Sequence, residues 1–390
     1  MIELSEHRNP CGEEIKMKPK IATFGNQRIN LGHAIAADLS LAGYEVNVFD
    51  LPENEDGLQP LRELGGIHVT GDTKVIASGK TGFAKLNMVT TDPEEALRDV
   101  DLLFVDVPAH EFEIRMKPII PYIKDGAVLH FNYYGYWPSL RLANLLREAG
   151  KKDVKITECP SCLYFARGQE GHLDFHVMRK RISLSVFPGR KRRESFEMIK
   201  SLYPNFYPAQ NILQTNFENL NMLWHPAITL LNIAYLDREK ARGEKTVDFY
   251  RTGITESTAI LAEAQDKERE QLCQAYGVPF TSLRDLIKQY SEATGKTIAE
   301  AQLNANFIKK SPAYDVDAWE QWINWDIPLA IVPMVLLAEL AGISMPIHRG
   351  LIDLFSALLK IDFWKTGLTL ERLGLAGMSA QEVVQYITVA

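Results

Sequence analysis

The stretch "PKIATFGNQRINLGHAIAADLSLAGYEVNVFD", residues 19 to 50, constrains the fold more than any other part of the chain. A short apolar run leads through a tight loop into an amphipathic segment, and a second apolar run ends on Asp50. That is strand, loop, helix, strand. Further runs of strand length follow in "DLLFVDVP", "AVLHFNY", "VKITEC" and "RISLSVFP", with amphipathic segments such as "SLRLANLLREAG" between several of them. Gly43 and Gly150 stand where helices should stop. The alternation predicts an α/β domain over residues 1–205, a Rossmann-like doubly wound parallel sheet.

Beyond residue 205 the period changes. Segments such as "GITESTAILAEAQDKEREQLCQAYG" repeat apolar residues at every third or fourth position, the signature of helices. An all-α, all-helical domain is therefore expected over 206–390, with "SLYPNFYPAQN" and its two prolines as the junction. A length of 390 residues accommodates two cores. The net charge of -7 disfavours nucleic acid, because no positive field draws in phosphates. The apolar stretch at 327–343 carries two prolines and Glu339, and it reads as a buried core helix and not a membrane span. The charged N-terminus lacks the apolar centre of a secretory signal and reads as a polar leader. Four cysteines do not make a disulfide framework, and a cytoplasmic location is expected.

In the first unit, Gly25 closes the strand and Gly32 opens the helix. Pyrophosphate needs bare backbone at such a helix start, which is why the usual fingerprint is G-x-G-x-x-G. Here Asn26, Gln27, Arg28 and Asn30 stand among the six intervening residues. Asparagine tolerates a left-handed backbone, and Arg28 offers charge to a phosphate. Asp50 lies 25 residues past Gly25, close to the spacing of about 20 at which an acid holds the adenosine ribose. The acidic "LPENED" that begins just after it would repel a 2′-phosphate, which favours NAD over NADP.

The other informative stretch is "TNFENLNMLWHPAITLLN", residues 215–232. Pro226 places His225 at a helix start or kink. Thr229 and Asn232 follow on the same face, with Asn221 extending the polar stripe. Polar groups on an apolar helix need a ligand, water or partner groups. A lone histidine is more often a satisfied core residue, and the flanking polar stripe weakens that reading.

These residues carry a resemblance. "NLNMLWHPAITLLN", "VDFYRTGITESTAILAEAQDKEREQLCQAYGV" and "WDIPLAIVP…GISMP" are similar to the helical domain of the octopine/nopaline (opine) dehydrogenase family, and "GHAIAADLSLAGYEV", "VDVPAHEF" and "ECPSCLYFARGQEGHLDFHVMRKRISLSVFP" resemble its first domain. The resemblance spans residues 20 to 355. It implies reductive condensation: a 2-oxo acid and the amine of an amino acid form an imine, to which NAD(P)H delivers a hydride. It assigns His225 as the proton-transferring residue and Asp326 as its carboxylate partner, chemistry that suits an imidazole at neutral pH. Asp326 also reads as a plain N-cap ahead of Pro328. Pro108 and Ala109 join the cofactor residues, and Asn132, near the end of the run "AVLHFNY", is expected to orient a substrate carboxylate or the nicotinamide. A homodimer is compatible with the resemblance.

Three features depart from the family pattern. The phosphate loop is longer and poorer in glycine than the family's. "QWINW" before Asp326 replaces an Arg-Tyr pair and a Glu, so Trp325 is expected to face a less anionic or flatter substrate. "FNYYGYWPS" is aromatic where the family is glycine-rich. "CPSC" lacks the companions of a zinc or redox site, no metal is expected, and "RKR" at 179–181 reads as a solvated rim. Two other readings stay open. One is a 3-hydroxyacid or 2-oxoacid dehydrogenase of similar architecture, which the absence of lysine from 215–235 disfavours. The other is a non-catalytic ligand sensor, favoured by the eroded loop.

Overall fold

The computed structural model of the chain describes residues 18–26, 30–132 and 135–389. Gln27, Arg28, Tyr133, Tyr134 and the polar leader lie outside the described residues. The strands are β1 (Ile21–Phe24), β2 (Val46–Phe49), β3 (Gly66–Gly71), β4 (Gly82–Lys85), β5 (Met88–Thr90), β6 (Leu102–Val105) and β7 (Val128–Phe131), then β8 (Lys155–Glu158), β9 (Tyr164–Gln169), β10 (His172–Met178), β11 (Ile182–Phe187) and β12 (Phe206–Pro208). Eight of them form the main sheet in the order β12-β11-β8-β7-β6-β1-β2-β5. Every residue of β1, β6 and β7 is buried, as the strands of a parallel sheet covered on both faces must be.

The Rossmann-like sheet is present with two corrections. It is not parallel throughout, because β11 runs antiparallel to β8. The chain makes the antiparallel β9–β10 pair between these two strands, within a second sheet of order β4-β3-β10-β9. These strands escaped the periodicity reading because they are short or only half-buried.

The boundary also shifts. Phe206–Pro208 pairs in parallel with β11, so the sheet continues past residue 205. Of the two prolines of the junction, Pro208 ends the edge strand β12, where a missing N–H is tolerated, and Pro204 lies in the turn before it. The last helix, Ala380–Val389, returns to the first domain: Tyr386 packs on Phe187 and accepts a 3.0 Å hydrogen bond from Arg147.

The helical domain is built mainly on Asn221–Ala241, Glu256–Ala275 and Pro346–Leu359, packed around a continuous helical run from Ala318 to Leu340. That run is longer than the 327–343 stretch suggested. It is long and apolar enough to cross a membrane, but 72% of its apolar window is buried against the rest of the chain.

Candidate active site

Register sets the site. Phe24 pairs with both Phe49 and Val105, and Val105 pairs with Phe131. The residues that follow them, Gly25, Asp50, Asp106 and Asn132, therefore form one row along the C-terminal edge of the sheet. β1 lies between β6 and β2, at the switch point where α/β sheets bind ligands.

Gly25 has φ +80°, and a Cβ there would sit 2.5 Å from the Asp106 carbonyl oxygen. A Cβ on Gly32 would meet the Gly25 oxygen at 2.1 Å. Both glycines let helix Leu31–Leu41 start directly against β1. Its first amides are engaged: Gly32 N–H donates to Asp106 Oδ2 at 2.8 Å, and His33 N–H donates to Asn26 Oδ1 at 3.2 Å. Asn26 in turn donates to the side chain of Asn30, whose backbone is left-handed at φ 54°. Burial lowers His33 to about 4, so it is neutral at this helix start. The Asn26 side chain and the Asp106 carboxylate thus occupy the amides that a phosphate would use at this helix start.

Asp50 is buried at the end of β2. Its Oδ1 accepts from Leu51 N–H, Asn54 and the Arg115 guanidinium. These contacts all fall on one oxygen, and no hydrogen bond to Oδ2 is made among the described residues. Burial raises the Asp50 carboxyl, and Arg115 pulls it down again. Pro108 and Ala109 form the turn after β6.

Asn132 is used internally on one side only. Its Oδ1 accepts from Leu163 N–H at 3.0 Å and from Cys159 Sγ at 3.3 Å, while its buried Nδ2 has no partner among the described residues.

His225 lies in the first turns of helix Asn221–Ala241, immediately ahead of Pro226, and only 4% of it is exposed. Its Nδ1 donates to Asp326 Oδ2 at 2.7 Å. Asp326, itself fully buried, accepts on Oδ1 from Tyr136 at 2.6 Å. The other imidazole nitrogen, Nε2, lies 2.7 Å from the Tyr250 hydroxyl. The result is a chain Tyr136–Asp326–His225–Tyr250. Asp326 caps no helix; its carboxylate is committed to His225 and Tyr136. It ends helix Ala318–Asp326, where Pro328 cannot supply an amide and the ladder widens into a π-turn over Ile327–Ile331.

Two of these positions were not singled out from the sequence. Tyr250 begins helix Phe249–Gly253, which a short ladder between Thr246–Val247 and Tyr314–Asp315 brings against the Asp326 helix. Tyr136 sits in the aromatic loop after β7. That loop is pinned where Trp137 N–H donates to Asn216 Oδ1 at 2.7 Å and Asn216 donates to Glu158 at 2.6 Å. Burial raises the Glu158 carboxyl, and hydrogen bonds from Ser139, Thr215 and Asn216 counter it. Burial also holds the Tyr250 phenol well above its ordinary value, so it is neutral.

The indole facing His225 is Trp322 and not Trp325. Trp322 stacks on the imidazole at 4.9 Å and 22°. Trp325 stacks instead on His110, 5.4 Å away, beside the Pro108–Ala109 turn. Helix phase explains the exchange: Trp322 is four residues before Asp326 and shares its face, while Trp325 is turned by about 100°. Asn221 lines a small cavity with His225 and Tyr250. Thr229 does not line it and is fully buried, with its hydroxyl unpartnered among the described residues. Asn232, the other member of that stripe, is spent on the carbonyls of Ile228 and Gly253.

Residues 208–359 match the model of the NAD/NADP octopine/nopaline dehydrogenase alpha-helical domain. An opine dehydrogenase from Arthrobacter sp. (strain 1C) is 29% identical over 357 residues, covering 90% of this chain and 94% of that enzyme. Octopine dehydrogenase in complex with NADH and agmatine has a TM-score of 0.74 at 18% identity, over 95% of this chain and 98% of that one. Yersinopine dehydrogenase with NADP+ bound has a TM-score of 0.65 at 15% identity, over 95% and 98% of the two chains. The structural likenesses show a common fold.

Proposed function

We propose that this chain, which carries the helical domain of the octopine/nopaline dehydrogenases, is an NAD(P)-dependent opine-type dehydrogenase. It joins the amine of an amino acid to a 2-oxo acid and reduces the resulting imine, reversibly. The observation that carries the reading is the hydrogen-bonded chain from Tyr136 through Asp326 to His225. In this reading it ties the imidazole to Tyr136, which follows the strand that ends just before Asn132.

A bound nicotinamide supplies the hydride. The row Gly25–Asp50 fits such a cofactor: bare backbone at the strand end, a helix start beside it, and a carboxylate oxygen for a ribose hydroxyl. For the finer choice we favour NAD, since Asp50 Oδ2 suits a 2′-hydroxyl better than a phosphate. Arg115 tempers that preference by neutralising part of the charge.

The side chains then divide the proton chemistry. Asp326 orients the imidazole and stabilises its protonated form, and Trp322 adds a π face to the same cation. Because Nε2 is already bonded to Tyr250, the proton leaves His225 through that hydroxyl. The phenol gives its own proton to the departing carbinolamine oxygen and takes one from the imidazolium. A hydroxyacid dehydrogenase with a catalytic lysine is disfavoured, since among the described residues no lysine lines the His225 cavity.

The test follows NADH and NADPH oxidation across a grid of 2-oxo acids and amines, with mass detection of the product. His225→Ala should lower turnover at least about a hundredfold, the usual loss for a general acid, while NADH still binds by fluorescence titration. Full turnover in that variant would remove the assigned role.

A further inference from the structure

The basic cluster at 179–181 is not a uniform solvated rim. Arg181 lies outside, over the Tyr207 ring at 4.4 Å. Arg179 is half-buried and sits over two aromatic faces, 4.9 Å from the Phe307 centroid and 5.4 Å from that of Tyr290. It lines the same cavity as Asn221, His225 and Tyr250. Its backbone is clamped on both sides: its N–H donates to Leu163 O at 2.8 Å, and its carbonyl accepts from Asn205 at 2.7 Å. Yet its side chain makes one hydrogen bond among the described residues, from Nη1 to Ser291 Oγ at 3.3 Å, and pairs with no carboxylate there. A cation withdrawn from solvent is normally matched by an acid. Aromatic faces offset only part of that loss.

We propose that Arg179 is the carboxylate anchor of the active site, binding the 2-oxo acid through its guanidinium fork with the Asn221 amide alongside. The fork matches a carboxylate in shape and charge. The aromatic walls hold the guanidinium plane in place before substrate arrives. The free space in the cavity is about 30 Å³, which favours the smaller of the two substrates and requires the site to widen as it enters. This assignment rests on the dehydrogenase reading, and it returns a cation to a site whose "QWINW" segment has none.

The test is calorimetric titration of the full chain with pyruvate and with pyruvamide, with and without NADH. The wild type should bind the carboxylate at least about tenfold more tightly than the amide. Arg179→Met should weaken pyruvate about 10- to 100-fold and erase the difference, the scale of one charged hydrogen-bonded contact. Arg179→Lys should fall between, retaining charge without the fork. Unchanged NADH affinity in both variants certifies the fold. A wild type indifferent to the carboxylate, or an Arg179→Met variant that keeps its preference, overturns the assignment. Turnover separates the two ideas. If an active enzyme shows no Arg179-dependent carboxylate preference, only the anchor fails; if the preference persists in a chain that reduces no imine, only the dehydrogenase fails.

Discussion

Tyr250→Phe removes one oxygen and distinguishes a proton relay from a plug. In the relay, the hydroxyl 2.7 Å from His225 Nε2 is, among the described residues, the exit for the imidazole proton, because Nδ1 is bound to Asp326 and the ring is buried. Phenylalanine keeps the ring and its packing on Trp322, 6.0 Å away, but loses the hydrogen bond. A hydrogen bond to a charged group contributes about 1.5–3 kcal/mol, and each 1.4 kcal/mol is a factor of ten. The turnover number should therefore fall by about 10- to 150-fold. The KM values for both substrates should change much less, since Tyr250 acts on the proton. Burial keeps the phenol neutral across the working range, so its loss should delete no limb of the pH–rate profile. The assay is steady-state NADH oxidation from about pH 6 to 9, with NADH affinity measured separately. Unchanged or raised turnover with NADH affinity intact would show that Tyr250 merely closes the site and that His225 meets substrate directly.

Other changes test the supporting parts. Tyr136→Phe removes a buried 2.6 Å donor from Asp326 and should cost turnover about tenfold or more, with NADH affinity nearly unchanged; equal turnover would detach this loop from the chemistry. Gly32→Ala forces a Cβ to 2.1 Å from the Gly25 oxygen, so the helix must move off β1. It should destabilise the protein by about 1–3 kcal/mol in urea unfolding and weaken NADH binding; a silent variant would discount the close approach. Burial drops His130 to about 3, so the folded state excludes a proton that the unfolded chain binds below about pH 6.5. Its contribution is complete above that pH and drains away as pH falls. His130→Phe should flatten the acid-side loss of stability by about 1.4 kcal/mol per pH unit between pH 6 and 4, and an identical slope would count against a buried neutral ring.

What the sequence exposed and what it hid follow from separation along the chain. Strands β1, β6 and β7 are apolar at every position and bounded by turns, so a local window finds them. The strands of the second sheet are short or half-buried, and their pairing is set by distant partners, as when β10 finds β3 about a hundred residues earlier. His225 and Asp326 emerged because the order of several motifs could be matched together. Tyr136 and Tyr250 did not, because their roles depend on the pinned loop beside Asn216 and on the two-residue ladder at Tyr314. Trp322 was accessible: counting the helix phase back from Asp326 selects it over Trp325.

The hydrogen-bonded chain also crosses the domain boundary, and that determines what each domain can do alone. Asp326 and His225 belong to the helical domain, but the second donor to Asp326 comes from the sheet edge through Tyr136. A second bridge, His110 on Trp325, joins the turn at Pro108–Ala109 to the same helix. Both bridges leave the α/β domain just past β6 and β7, on the side of β1 opposite β2. Withdrawing the helical domain would strip one donor from a fully buried carboxylate and separate the imidazole from the proposed cofactor edge together. The acid–base pair is therefore complete only with the domains docked. Because Tyr136 donates to Asp326 and the next residue, Trp137, is pinned to Asn216, the proposed cofactor edge and the proposed proton donor are coupled through that one anchored contact.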